Sequence, residues 1–156
     1  MITTDEVVIS SEDPRQPDVR ALIADLDAMM VRLYPAESNH LVDVEALAGP
    51  GVRFLVARHG GRAVGCGAVV RLDEGLGEIK RMYVDPRQRR GGIGRLLLNA
   101  LETETRKQGL QQLALETGIS QAEAISLYRC SGFRECPPFG TYKPDPLSIF
   151  MTKELA

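Results

Sequence analysis

The chain has 156 residues and a formal charge of -2. That length is about one domain and is enough to bury a single core. The charge gives no electrostatic case for a nucleic-acid-binding surface. Three cysteines, Cys66, Cys130 and Cys136, are an odd number without C-x-x-C spacing. They point to a reducing compartment rather than a disulfide framework. His40 and His59 have no ligand partners at a recognisable spacing, so no metal is expected. The first ten residues lack the basic segment and apolar core of a secretory leader, and no apolar window approaches bilayer length. The expectation is one cytoplasmic domain over residues 1–156 with no membrane partner.

In chain order, "EVVIS" reads as a first strand, and "SEDPRQPD" breaks the chain with two prolines. From Val19, apolar residues recur at three and four through Leu22, Ile23, Leu26, Met29, Met30 and Leu33. This predicts an amphipathic helix that Pro35 ends. Residues 34–47 read as a loop plus a short helix, with Asp43 as its cap. Two β-rich runs flank Gly60-Gly61 and predict a hairpin. "GEIKRMYVD" is a further strand. The segment "GIGRLLLNALETETRKQG" predicts a helix whose buried face carries Ile93, Leu97, Ala100 and Leu101, with Gly109 as its stop. "QQLALET" is a strand, "SQAEAISLYRCSG" a helix ending at Gly132, and the last 24 residues hold two short strands around a proline-rich loop. The order is β-α-α-β-β-β-α-β-α-β-β. Three consecutive strands favour antiparallel pairing, and the later strand-helix alternation needs at least one parallel crossover. The class is mixed α/β with a largely antiparallel sheet.

The segment "MYVDPRQRRGGIGRLLLNAL" carries the chemistry. Helix N-termini leave backbone N–H groups unpaired and carry partial positive charge. A glycine-rich turn lets several of those groups converge on one anion. Gly91, Gly92 and Gly94 remove the Cβ atoms that would hold a phosphate away, and Arg89, Arg90 and Arg95 add charge. A Walker loop is absent, because no Gly-Lys-Ser/Thr follows. A Rossmann fingerprint is absent, because the glycines sit mid-chain at another spacing.

The pattern R-x-x-G-x-G, as Arg89-Arg90-Gly91-Gly92-Ile93-Gly94, resembles the pyrophosphate motif of the GNAT superfamily of acetyl-CoA-dependent N-acetyltransferases. "EIKRMYVDPRQRRGGIG" is similar to that family's fourth strand and following helix, and "AEAISLYRCSGF" to its later helix. The resemblance runs from residue 52 onward. It implies a mostly antiparallel twisted sheet of about seven strands flanked by about four helices. It implies that the amides of residues 90–95 hold a pyrophosphate and that the backbones of Met82 and Val84 pair with the pantetheine arm of acetyl-CoA. The family splays its fourth and fifth strands at a bulge to do this. Gly91 stands where the motif often has a side chain, and Gln121 stands where an asparagine is common.

Acetyl transfer from a thioester to an amine needs a neutral amine, a stabilised oxyanion and a proton for the leaving thiolate. Tyr128 shares a helix face with Gln121, Ala124 and Ile125 and lies where the family has its thiol-protonating tyrosine. It is the candidate acid; its alternative is a core tyrosine with an edge hydroxyl. Glu78 is the candidate base. In a regular strand it shares a face with Lys80, Met82 and Val84. Its alternative is a strand-end charge paired with Lys80 or Arg81. Glu116 is a second candidate. Arg81 is expected on the opposite face, in a salt bridge, unless a bulge reverses it. Tyr34, Asn39, His40, Phe139 and Tyr142 lie in irregular segments that commonly carry specificity. They are candidates for an acceptor pocket. The reading is an N-acetyltransferase for a small-molecule or peptide amine. The alternatives are a non-catalytic acyl-CoA-binding module and unrelated nucleotide binding. The last strand is a candidate for pairing across a homodimer.

Overall fold

The structure, a computed structural model, describes residues 6–39, 42–88 and 91–155. Among the described residues seven strands form one sheet: β1 (Val7–Ser11), β2 (Val52–His59), β3 (Arg62–Arg71), β4 (Leu76–Val84), β5 (Gln112–Gly118), β6 (Arg134–Glu135) and β7 (Ser148–Glu154). Their spatial order is β1-β2-β3-β4-β5-β7-β6. The β4–β5 pair is parallel and the other pairs are antiparallel. Four helices, α1 (Pro17–Leu33), α2 (Val44–Leu47), α3 (Ile93–Lys107) and α4 (Ala122–Cys130), complete the expected element order.

Local chemistry explains most boundaries. Pro17 is not a breaker but sits in the first turn of α1, where its missing N–H costs nothing. The Tyr34 N–H closes that helix on the Met30 carbonyl, and Pro35 follows. The Asp43 side chain accepts from the Ala46 N–H at 2.8 Å, the predicted cap of α2. Gly60 and Gly61 both have positive φ, as a two-residue hairpin turn requires.

The sheet has a core on each face. One face packs α1 and α2 through Val19, Leu22, Ile23, Leu26 and Leu47 against Phe54, Val56, Cys66 and Ala68. The other packs α3 and α4 through Ile93, Leu97, Leu98, Leu101 and Tyr128 against β-strand residues that include Val69, Ile79 and Leu115. Close approach of α3 depends on two glycines of β3. A Cβ on Gly65 would stand 2.9 Å from Leu97 Cδ1, and one on Gly67 2.9 Å from Leu101 Cδ1. β7 lies between β5 and β6, but β6 covers it only at Met151 and Thr152. No helix among the described residues is long and apolar enough to cross a membrane.

Candidate active site

β4 pairs with β5 from Leu76 to Ile79 and no further, while β5 runs on with β7 to Gly118. The two central strands therefore part beyond Ile79. A bulge accompanies the split. Ala68 of β3 faces Lys80 and Cys66 faces Tyr83, so β4 carries one extra residue across that step. Arg81 takes φ 58° there, the one positive-φ non-glycine among the described residues. A non-glycine residue in that region is uncommon and is held by its surroundings. The Arg81 side chain is 5% exposed and pairs with Asp27 of α1. Its Nε also donates to the Val42 carbonyl at 3.0 Å.

The bulge corrects the expected alternation. Gly77 and Ile79 face the α3 core, so Glu78 and Lys80 face the α1 side. After the extra residue, Met82 and Val84 pack against the α3 core, and Tyr83 joins the α1 core. Glu78 and Lys80 thus stand on the opposite face from Met82 and Val84. Arg81 falls on the α1 side with Lys80. The expected salt bridge of Arg81 is present.

Beside the split, α3 begins at a turn of glycines. Gly92 caps the helix in the left-handed region, with φ 82°. The Leu96 N–H donates to the Gly92 carbonyl at 3.1 Å, so the amides of Ile93, Gly94 and Arg95 have no acceptor within the helix. The side chain of Ile93 is buried and anchors the turn; that of Arg95 is exposed. Gly91 and Gly92 are exposed, and a Cβ on Gly92 would meet nothing within 4 Å. What glycine supplies at that position is the positive φ. Gly94 is different, because its Cβ would stand 3.1 Å from Leu127 Cδ2 of α4. Arg89, Arg90 and His40 lie outside the described residues.

A cavity of about 90 Å³ fills the split. Tyr128 and Gln121 line it from the α4 side, Glu78, Lys80 and Tyr142 from the other. Tyr128 packs edge-on to Phe133 at 5.8 Å, and burial pushes its hydroxyl well above the ordinary tyrosine range. It stays protonated at any physiological pH and is a donor. Gln121 Oε1 accepts from the Gly118 N–H at 3.1 Å and from the Tyr34 hydroxyl at 3.4 Å. The Tyr34 oxygen in turn accepts from the Ser120 N–H at 3.2 Å. Gly118 makes room for this arrangement, since a Cβ there would lie 1.8 Å from the Tyr34 hydroxyl.

Glu78 is 3% exposed and does not stand alone. The Tyr142 hydroxyl donates to its Oε2 at 2.5 Å, and Lys80 Nζ lies 3.1 Å from the same oxygen. Lys80 also donates to the Tyr142 oxygen and sits 4.9 Å from that ring's centre. The pairing with Lys80 weighed from the sequence is therefore present. Tyr142 belongs to a cluster of three rings with Phe139 and Phe150, at 5.2 and 5.4 Å. Burial, and then the Glu78 carboxylate, push the Tyr142 hydroxyl well above its usual range. Glu116 reaches the same cavity and accepts from the Ser148 hydroxyl at 2.7 Å. The Asn39 amide donates to the Tyr34 and Pro35 carbonyls. Sequence reasoning placed Tyr142 in an acceptor loop but not against Glu78; no spacing signals a contact 64 residues apart.

The fold that carries this opened parallel pair and glycine-capped helix is shared by known proteins. The model of the acetyltransferase (GNAT) family matches residues 19–133. The IAA acetyltransferase of Azospirillum brasilense is 54% identical over 150 residues, covering 96% of this chain and 98% of that protein. The solved structure of a Klebsiella pneumoniae protein assigned as an acyl-CoA N-acyltransferase superposes with a TM-score of 0.83 at 40% identity, covering 97% and 99% of the two chains. A GNAT family acetyltransferase from Elizabethkingia anophelis, solved with acetyl-CoA bound, shares the fold at a TM-score of 0.69 and 19% identity, covering 97% and 99%. The chain belongs to the GNAT family and is an acetyltransferase.

Proposed function

We propose that the protein transfers the acetyl group of acetyl-CoA directly to a primary amine of a small molecule or peptide. The observation that carries this reading is the parting of β4 from β5 beyond Ile79, next to the first amides of α3, which have no acceptor within the helix. The parted strand offers Met82 and Val84 to an extended pantetheine arm. The glycine turn offers the amides of residues 91–95 to a pyrophosphate, and Arg89, Arg90 and Arg95 add charge. Gln121 keeps its Nε2 for the cofactor side, because its Oε1 is taken by Gly118 and Tyr34. A relative solved with acetyl-CoA bound supports the choice of donor.

The chemistry follows from the two faces of the split. An ammonium gives one proton to Glu78, the acceptor carboxylate of the site. The neutral nitrogen attacks the thioester carbonyl, and the C–S bond breaks. Tyr128 gives its proton to the departing thiolate, and the nitrogen's second proton balances that loss. Burial keeps the Tyr128 hydroxyl protonated but also makes it a weaker acid than a free phenol, so what supports the role is its place lining the cleft.

Calorimetric titration with acetyl-CoA, with CoA and ATP as controls, tests the donor. Thiol release in a screen of primary amines tests the transfer. Saturable acetyl-CoA binding, silence with ATP and amine-dependent thiol release are expected. Binding without turnover on any amine would make the protein an acyl-CoA-binding module. A folded sample that ignores acetyl-CoA would overturn the reading.

A further inference from the structure

Tyr34 joins the end of α1 to the start of α4, 87 residues further along the chain. Its backbone is held on both sides. Its N–H donates to the Met30 carbonyl, and its own carbonyl accepts from Asn39 Nδ2 at 3.3 Å. Its ring is 6% exposed and lies over the end of β5, in the space that Gly118 leaves. Tyr34, Gln121 and Tyr128 line the same cavity.

Two backbone amides fix the direction of the hydrogen bonds there, because an N–H can only donate. The Ser120 N–H reaches the Tyr34 oxygen at 3.2 Å, so that oxygen is an acceptor on this side and its one proton goes to another partner. That partner is Gln121 Oε1 at 3.4 Å. The Gly118 N–H lies 3.1 Å from the same Oε1. A flipped Gln121 would set its NH2 group against the Gly118 N–H, donor against donor. The carbonyl end of the carboxamide is therefore held by two donors, and Nε2 is turned away from both. The Gln121 backbone is fixed as well, its N–H donating to the Gly118 carbonyl and its carbonyl accepting from the Ile125 N–H, each at 3.0 Å. The bond from Gly118 alone would let the carboxamide pivot about Oε1. The second donor, from Tyr34, removes that freedom.

We propose that Tyr34 is a positioning residue whose hydroxyl aims the Gln121 carboxamide, so that Nε2 is presented as a donor to acetyl-CoA. This rests on the acetyl-CoA reading above and adds to it the group that holds the donor in place. A side chain that must be immobilised on binding weakens affinity by about three- to tenfold relative to one already held. Tyr34 removes that cost before the cofactor arrives. It also makes the cofactor site depend on the segment that follows α1, which belongs to the other face of the sheet.

The test is a double-mutant cycle read in acetyl-CoA affinity by calorimetry. Tyr34→Phe keeps the buried ring and removes the hydroxyl, and Gln121→Ala removes the group it holds. Gln121→Ala is expected to weaken acetyl-CoA binding about fivefold, and Tyr34→Phe about threefold. In the Gln121→Ala background, Tyr34→Phe should weaken binding no further. Stability behaves differently, because the Ser120 N–H loses its acceptor in either background and the unfolding midpoint should drop in both. In turnover with a saturating amine, Tyr34→Phe should raise KM for acetyl-CoA and leave kcat near wild type. Additive affinity losses, wild-type affinity in Tyr34→Phe, or a fall in kcat with KM unchanged each overturns the positioning role and leaves the transfer reading standing. Wild-type affinity in Gln121→Ala overturns it too, since there would be no donor to aim. A folded wild type that ignores acetyl-CoA overturns the transfer reading itself, and the positioning role falls with it.

Discussion

Residues 76–79 of β4 have β3 on one side and β5 on the other, whereas residues 80–84 keep β3 and lose β5. The lower half is filled to contact: a Cβ on Gly77 would stand 3.0 Å from Val69 Cγ1 and 3.1 Å from Leu110 Cδ1. The upper half is held open by a bulge, an ion pair and an aromatic cluster, and it faces a cavity. One half of the strand stabilises the sheet, and the other leaves it to line a cavity. A sheet gives up several ladder bonds at such a split, so the open geometry must be stabilised by side chains that reach in from elsewhere. Arg81, Tyr142 and Tyr34 are those side chains. Substitutions in the two halves should therefore separate stability from activity.

The largest expected effect is on the open half. Tyr128→Phe removes the proposed proton donor and leaves the ring packed on Phe133. Turnover should fall about 10²-fold, equivalent to ~2.7 kcal/mol of transition-state stabilisation. Acetyl-CoA affinity and unfolding midpoint should stay near wild type. Unchanged turnover across the pH range would remove Tyr128 from the mechanism. The matching change in the closed half is Gly77→Val. Its side chain has no room between Val69 and Leu110, and overpacking of this kind costs about 2–3 kcal/mol. Denaturant unfolding should show that loss while the folded fraction binds acetyl-CoA normally. A loss of affinity without a loss of stability would mean that the two halves are not separable.

At the boundary, Asp27→Ala removes the carboxylate paired with the buried Arg81 guanidinium and leaves its bond to the Val42 carbonyl at 3.0 Å. Because Asp27 is itself 43% exposed, water replaces part of what is lost. A cost of about 1–2 kcal/mol is expected in unfolding experiments, together with weaker acetyl-CoA binding if the bulge relaxes. A variant with wild-type stability and affinity would show that the bulge holds without this pair.

The closed half of the molecule was largely legible in the sequence and the open half was not, for a physical reason. Hairpin turns, caps and helix faces are local. Gly60-Gly61, Asp43 and the Ile93–Leu97–Leu101 stripe each carry their signal within a few residues. The bulge at Arg81 has no such signal, because "EIKRMYV" alternates as any half-buried strand does. One extra residue there put Met82 and Val84 on the face opposite Glu78. The Glu78–Tyr142 contact joins β4 to a loop 64 residues later, and only the closed sheet brings them together. Tyr34 shows the same limit. The sequence marked it as a pocket residue, but its place depends on Gly118, whose missing Cβ makes the space.

The smallest expected effect belongs to the turn where α3 begins. Gly92 has φ 82° and open space around its Cα, so Gly92→Ala meets no clash. Its cost is conformational, about 1 kcal/mol for placing an L-residue in the left-handed region. Two responses are available to the chain. If the turn keeps its shape, the unfolding free energy drops by that amount and acetyl-CoA affinity holds. If the turn relaxes to negative φ, the cost is partly relieved, but the amides of Ile93 to Arg95 no longer converge. Stability then stays near wild type and affinity falls. Measuring both quantities on the one variant distinguishes strain borne by the fold from strain relieved at the expense of the proposed anion site. A result with neither quantity changed would mean that the left-handed cap does not shape the cofactor cradle.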